Sequence, residues 1–232
     1  MKSSHLPNSS RRAALSVLVA VTLAGCASQP VPPSEPDALV TEARTTLSNF
    51  IRDPDQTWIQ DNLSRAKAVL IAPQIVKAGF IVGGSGGRGL LVARDGTSWA
   101  GPAFYNLGTA SVGFQAGVEV SEAIIVVMTD KGLNSLLATT FKVGGDASIA
   151  AGPVGAGAKS TVTADLVSFT RSKGVYGGLN LDGTVVHANA DFNGQFYGAK
   201  GKVLPPDILV RHTYKSAKAT PLLNAVAKVA AK

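Results

Sequence analysis

The chain reads as an α+β protein, an antiparallel β-rich sheet, barrel- or sandwich-like, with helices flanking it at the N- and C-terminal ends. Three observations predict this. Apolar residues recur at helical spacing from Leu39 to Leu70, short strand-like runs follow from Ile75 to His187, and a last helical stripe closes the chain.

The first helix places Leu39, Ala43, Leu47 and Phe50 on one face, and either Ser34 or Asp37 can cap it. Asp53-Pro54-Asp55 stops it, because proline disfavours helix at the residue before it. A second helix is expected from about Gln56 to Leu70, with Trp58, Ile59, Leu63 and Ala66 inward. Strands are expected at 79–82 and 90–94, joined by a turn through the glycine-rich run Gly83-Gly84-Ser85-Gly86-Gly87-Arg88-Gly89. Further strands are read at 111–120, 122–128, 145–150, 164–171, 175–180 and 184–187. Glycines inside them point to bends, bulges or close backbone approach. Helices are expected at 130–139, capped by Thr129 or Asp130, at 190–197 and at 215–232.

The N-terminus has the parts of an export signal. Lys2, Arg11 and Arg12 form a positive start, an apolar run from Ala13 to Leu23 follows, and Leu23-Ala24-Gly25-Cys26 closes it on the chain's single cysteine. Small residues before a lone cysteine resemble the bacterial lipoprotein cleavage site, where the sulfur is acylated and the cysteine becomes the new N-terminus. Residues 1–25 are thus expected to be a signal peptide, 26–36 a proline-rich lipidated tether, and 37–232 a single domain. Ala27 after the cysteine leans toward the outer membrane, on its periplasmic face. With Lys2, Arg11 and Arg12 removed, 19 basic residues remain against 15 acidic, a net charge of +4. That balance favours an anionic surface, and no basic stripe with interleaved aromatics suggests nucleic acid. Acylation of Cys26 leaves no thiol for a disulfide, so core burial must supply the stability.

Motif matches to enzymes lack their structural context. Gly83-Gly84-Ser85-Gly86-Gly87 fits the hydrolase elbow G-x-S-x-G, which needs a strand turning into a helix; Leu90-Leu91-Val92 reads as strand instead. Gly84-x-Gly86-x-x-Gly89 fits the dinucleotide fingerprint without its βαβ unit. The run from Gly152 to Ser160 resembles a phosphate loop with one residue too many before Lys159. His187 and His212 have no second ligand at fixed spacing, and Glu119 with Glu122, or Asp146 with Asp165, form carboxylate pairs only if folding joins them. No catalytic residue, metal or cofactor is expected.

Several blocks appear in the order of a known family. They are Trp99-Ala100-Gly101-Pro102-Ala103, Gly113-Phe114-Gln115-Ala116-Gly117, Ala150-Ala151-Gly152-Pro153-Val154-Gly155, and the run from Ser168 to Gly178. Together they resemble the SYLF, or Ysc84-type, domain over roughly residues 62–198. Ala100 stands where the family usually has serine, and Ala156 where eukaryotic members often carry arginine. The resemblance implies phospholipid binding, with phosphoinositides as ligands of eukaryotic members and actin as a partner of some fungal ones. The expected role is therefore non-enzymatic recognition of anionic phospholipid headgroups beside the membrane. Candidate contacts are Lys67, Lys77, Arg88, Arg94, Arg171 and Lys173. Backbone amides of Gly86, Gly87 and Gly89, or of Gly152, Gly155 and Gly157, could add an anion nest. The alternative is a structural or interaction module that docks a protein partner of the cell envelope.

Overall fold

A computed structural model describes residues 34–155, 163–172 and 181–231, and at residues 80–82 and 111–116 the backbone only. Cys26, Gly157, Lys173 and the expected strand at 175–180 lie outside the described residues.

Helix α1 (Glu35–Arg52) starts where Ser34 accepts a hydrogen bond from the Asp37 amide, so serine is the cap. The Ser34 hydroxyl also donates to the Asp37 carboxylate at 2.8 Å. Burial raises the Asp37 pKa, but the Lys218 ammonium and Ser34 outweigh it and leave the carboxyl below its ordinary value. The second helix is shorter than its apolar spacing suggests. Helix α2 (Thr57–Asn62) passes into a 3-10 turn (Leu63–Arg65), and from Ala68 the chain is strand. Sheet pairing of Val69, Leu70 and Ile71 overrides the helical period there.

Two very long strands, β1 (Ala68–Asp95) and β2 (Ser98–Val127), form one antiparallel hairpin. Its turn is Gly96-Thr97, with Gly96 at φ +58°, a conformation suited to a two-residue hairpin loop. The glycine-rich run is therefore not a turn between strands. It lies inside β1, where the whole ribbon bends back on itself. Arg94 N donates to Lys67 O at 2.8 Å. A Cβ on Gly89 would sit 3.0 Å from Ile71 O, and one on Gly87 only 2.4 Å from Gln74 O. The two halves of β1 thus run side by side, antiparallel. On the outside of the bend β2 spends three residues, Phe114-Gln115-Ala116, where β1 spends Phe80 alone, because the outer path is longer. A second bulge sets Gly101 and Pro102 against Val92, so the proline's missing N–H falls where the ladder is already interrupted.

Shorter strands extend both sides. Strand β5 (Leu166–Ser172) pairs with residues 121–127 of β2, and β4 (Ile149–Ala151) adds to it in parallel. Strand β6 (Val185–Ala188) pairs with residues 105–108, and β3 (Thr140–Lys142) adds to that. Among the described residues the six strands form one curled, mixed sheet, an eight-stranded half-barrel when the two halves of β1 and of β2 are counted separately, with N- and C-terminal helices. The parallel pairing of β4 with β5 departs from the all-antiparallel expectation. The remaining elements are α3 (Asp130–Leu137), capped by Thr129, α4 (Ala190–Tyr197), α5 (Pro205–Leu209) and α6 (Thr220–Ala230). The expected terminal helix is thus a 3-10 turn (Ala217–Ala219) followed by α6, while α5 has no counterpart in the reading above.

Away from the ribbon bend both faces of the central strands are buried, which is why they read as unbroken apolar runs. Val69, Ile71, Leu90, Val92, Phe104, Ile124 and Val126 pack under α1, α2 and α6. The alternate residues Leu70, Leu91, Tyr105 and Ile125 pack with Leu136, Phe141, Ile208 and Leu209. The Tyr105 phenol donates to Leu136 O at 2.6 Å, and burial pushes its pKa well up. Among the described residues no helix is long and apolar enough to cross a membrane.

Candidate functional site

The ribbon bend sorts the expected cationic contacts into two ends. Lys67 and Arg94 lie at the hairpin-turn end. Arg94 donates to the carbonyls of Ala66, Leu63 and Ser64 at 2.8–3.0 Å, and its guanidinium covers Trp99 at 4.6 Å. It is the clamp that ends the 3-10 turn, so its guanidinium has a structural task in the fold. Lys67 is ion-paired with Asp130 at 3.0 Å. Lys77, Arg88 and Arg171 lie at the opposite end, around the bend. Lys77 is the cross-strand neighbour of Glu119, Arg88 stands across from Asn106, and exposed Arg171 across from Glu122 near the end of β5. Arg88 also reaches Glu35 at 3.5 Å and lies 4.8 Å over the Phe192 ring.

The expected anion nests do not form at the described glycines. Gly86, Gly87 and Gly89 are extended strand paired with β2, so successive amides point to opposite edges and cannot converge on one anion. Gly152 N donates to Ser168 O, and Gly155 N to Asp55 O, which uses both amides. A side chain at Gly152 would collide with the Phe169 ring, its Cβ 2.1 Å from the nearest ring carbon. Close packing explains that glycine.

The residues that suggested catalysis are held elsewhere. Ser85 is mid-strand opposite Thr109, so the strand–turn–helix elbow does not exist. His187 Nδ1 shares a hydrogen bond with Thr140, and His212 Nε2 lies 3.5 Å from Asp95 at the hairpin turn. Glu119 and Glu122 are both buried but project to opposite faces of β2. Glu119 accepts from Ser121 and Ser172, and Glu122 accepts from Thr46 and Asn49 of α1 at 3.3 Å each. Among the described residues no three His, Cys, Asp or Glu side chains gather as metal ligands would.

Asp165 is a structural carboxylate, not half of an acid pair with Asp146. The Thr129 hydroxyl donates to it at 2.6 Å, Ser148 donates from its amide at 3.0 Å and its hydroxyl at 2.8 Å, and Lys131 lies at 3.4 Å. Those bonds, Thr129 first, hold its pKa far below the usual carboxylate range despite opposing burial. A lowered folded value means the stabilisation is complete above the unfolded aspartate pKa of about 3.9 and lost as pH falls toward the folded one. Asp165→Asn is expected to cost roughly 1–2 kcal/mol at pH 7, the gap closing in acid below about pH 4. Urea unfolding across pH 3–7 checks this; a gap that does not change with pH would contradict it.

The bend itself carries apolar exposure that the sequence reading did not single out. Val118 is 68% and Val76 39% exposed, on neighbouring positions of the ribbon. Neither 78–87 nor 108–118 contains a charged residue, and this signal was readable from the sequence. Ser34, where the preceding segment joins the described domain, belongs to the same end, because Glu35 beside it meets Arg88. A cavity of about 410 Å³ under Arg88 is lined by Glu35 and Glu42 as well, so it is not an anion pocket.

A family model described as "Las17-binding protein actin regulator" matches residues 108–229, just over half of the chain. The LAS seventeen-binding protein 3 of Saccharomyces cerevisiae is 29% identical over 187 residues, covering 71% of this chain and 40% of that protein. An SH3 domain-containing protein of Schizosaccharomyces pombe is 32% identical over 205 residues, 81% of this chain and 46% of its own. The human SH3 domain-containing YSC84-like protein 1 is 29% identical over 176 residues, 73% and 50% respectively. The chain spans about half or less of the length of these curated relatives. No solved structure shows significant similarity to it.

Proposed function

The chain belongs to the Ysc84 family, and from that premise we propose that it is an envelope lipoprotein, anchored through acylated Cys26, whose domain engages anionic phospholipid headgroups and performs no chemistry on them. The observation that carries this reading is the ribbon bend. An uncharged, partly exposed apolar end is flanked by Lys77, Arg88 and Arg171, which suits a surface with an apolar interior and an anionic skin. The position of Ser34 supports it too. Eight residues from Cys26 reach at most about 29 Å, so an anchored cysteine would keep Ser34 within that distance of the bilayer. The expected location is the periplasmic face of the outer membrane.

The test uses the full chain with Cys26→Ser, which removes the acylation site, and vesicles with and without anionic lipid. Replacing Arg171 and Lys173 together with alanine is expected to weaken vesicle binding roughly 30-fold at low salt, from about 1 kcal/mol per cation near the surface. Val118→Asp is expected to weaken it at all salt concentrations. Binding that ignores salt, the two cations and Val118 would defeat the proposal. A second reading, a protein-docking module, is favoured by the relatives' printed names, which record a protein partner. It predicts capture of an envelope protein through the same bend with no dependence on lipid charge.

A further inference from the structure

At the hairpin-turn end of the sheet a cavity of about 430 Å³ opens between the β1–β2 turn, the loop after α5 and the start of α6. One carboxylate, Asp95, is balanced there by one ammonium, Lys215, and most of the other polar groups are hydroxyls, those of Ser98, Tyr214, Ser216 and Thr220. Among the described residues the side chains of Tyr214, Lys215 and Thr220 make no hydrogen bond or ion pair. Ser216 accepts from the Lys218 amide at 3.3 Å and keeps its own proton to donate. Trp99 and Tyr214 add aromatic surface. Each ring is steadied by a neighbour, Trp99 by the Arg94 guanidinium at 4.6 Å and Tyr214 by the Tyr197 ring at 6.1 Å. His212 completes the wall, and among the described residues it is the single non-glycine one with positive φ, at +52°. Such backbone persists only where its surroundings enforce it, and it concentrates at binding sites. Here it sets the imidazole 3.5 Å from the Asp95 carboxylate.

We propose that this cavity binds a neutral saccharide of about two rings, its hydroxyls bonded to Asp95, Tyr214, Ser216 and Thr220 and its apolar ring faces laid on Trp99 and Tyr214. A sugar hydroxyl both donates and accepts, as the hydroxyls of the wall do, and a carboxylate takes the protons that sugars offer. An apolar ligand would strand those groups without partners. An anion would meet Asp95 and a cation Lys215, so a ligand without net charge is the complement. The volume falls in the range of small-molecule sites. The site is separate from the bend and shares no residue with it. From Arg88 to Asp95 alone the extended strand covers about 23 Å. The inference therefore goes beyond the surface contact proposed above and does not rest on it.

The test is a proton–nitrogen NMR titration of the full Cys26→Ser chain with maltose, cellobiose and diacetylchitobiose, beside inorganic phosphate and the zwitterion dialanine. At least one disaccharide is expected to give saturable shifts, confined to residues 95–101 and 212–220 and including the Trp99 indole N–H. It should bind at least about tenfold tighter than either control and hold its affinity as salt rises. Asp95→Asn is expected to weaken that disaccharide about tenfold, since hydrogen bonds to a charged acceptor are the stronger ones. Asn-Gly still suits a two-residue hairpin turn, and an unchanged melting profile would verify the fold. Tyr214→Phe, which keeps the ring and removes the hydroxyl, is expected to weaken it about threefold whether or not the turn variant folds. No saturable shift with any of the three sugars, shifts centred elsewhere, equal binding of phosphate or dialanine, or indifference to these substitutions would each overturn the proposal. Val118→Asp separates the two readings: it should impair vesicle binding and leave this titration unchanged.

Discussion

Gly87→Val is expected to lower the melting temperature by roughly 10 °C. A Cβ at that position would lie 2.4 Å from the Gln74 carbonyl oxygen and 3.1 Å from Ile75 Cα, both backbone atoms of the other half of the same strand. Neither can yield without parting the two halves of β1. Overpacking of this kind costs about 3 kcal/mol, and a domain of this size loses about 2–4 °C for each kcal/mol. Gly108→Ala is the matched control, since nothing lies within 4 Å of its added Cβ. A Gly87→Val protein that melts with the wild type would mean that the folded-back strand is wrong.

Asn193→Leu should destabilise the fold by about 3 kcal/mol. Asn193 is fully buried in α4 and joins two otherwise unconnected backbone groups. Its Oδ1 accepts from Phe104 N at 2.8 Å, and its Nδ2 donates to Val203 O at 3.0 Å. Leucine fills much of the same space but leaves a buried N–H and a buried carbonyl without partners, each worth about 1–3 kcal/mol. Asn193→Asp should fare no better, because it keeps the acceptor, loses the donor and buries a charge. Urea midpoints of the three proteins test the order. An Asn193→Leu chain as stable as the wild type would show that the amide holds nothing.

The elements that local patterning specifies were legible. The helix read at 190–197 is α4, Thr129 is one of the two caps read for α3, and the strands read at 164–171 and 184–187 lie within two residues of β5 and β6. The β1–β2 turn was also written in the chain, as Asp95-Gly96, but the denser glycines at 83–89 drew the turn to themselves. Glycine signals freedom from a Cβ without saying whether that freedom serves a turn or a close crossing. The first half of β2 was hidden for a related reason. Gly101-Pro102 breaks a strand pattern unless a bulge is waiting for it.

The sites divide in the same way. That cations would serve as contacts could be proposed from the sequence, but each one's availability depends on partners distant in the chain. Arg94 is held by carbonyls 28 to 31 residues away, and Arg88 is shared with Glu35, 53 residues away, across a long, exposed contact. Arg44 and Arg52 of α1 and Lys228 of α6 border one groove only because α6 returns to lie along α1.

By itself the sequence determined the family, the α+β class, the pair of residues from which each cap would come and the positive balance, since each follows from residue type and spacing within a few turns. Only the tertiary structure decided that one strand would fold against itself, which cations would remain free, and that an uncharged ribbon end would stand beside Ser34. Those outcomes depend on pairings between residues far apart in the chain, where the gain from burying both sheet faces outweighs local preference.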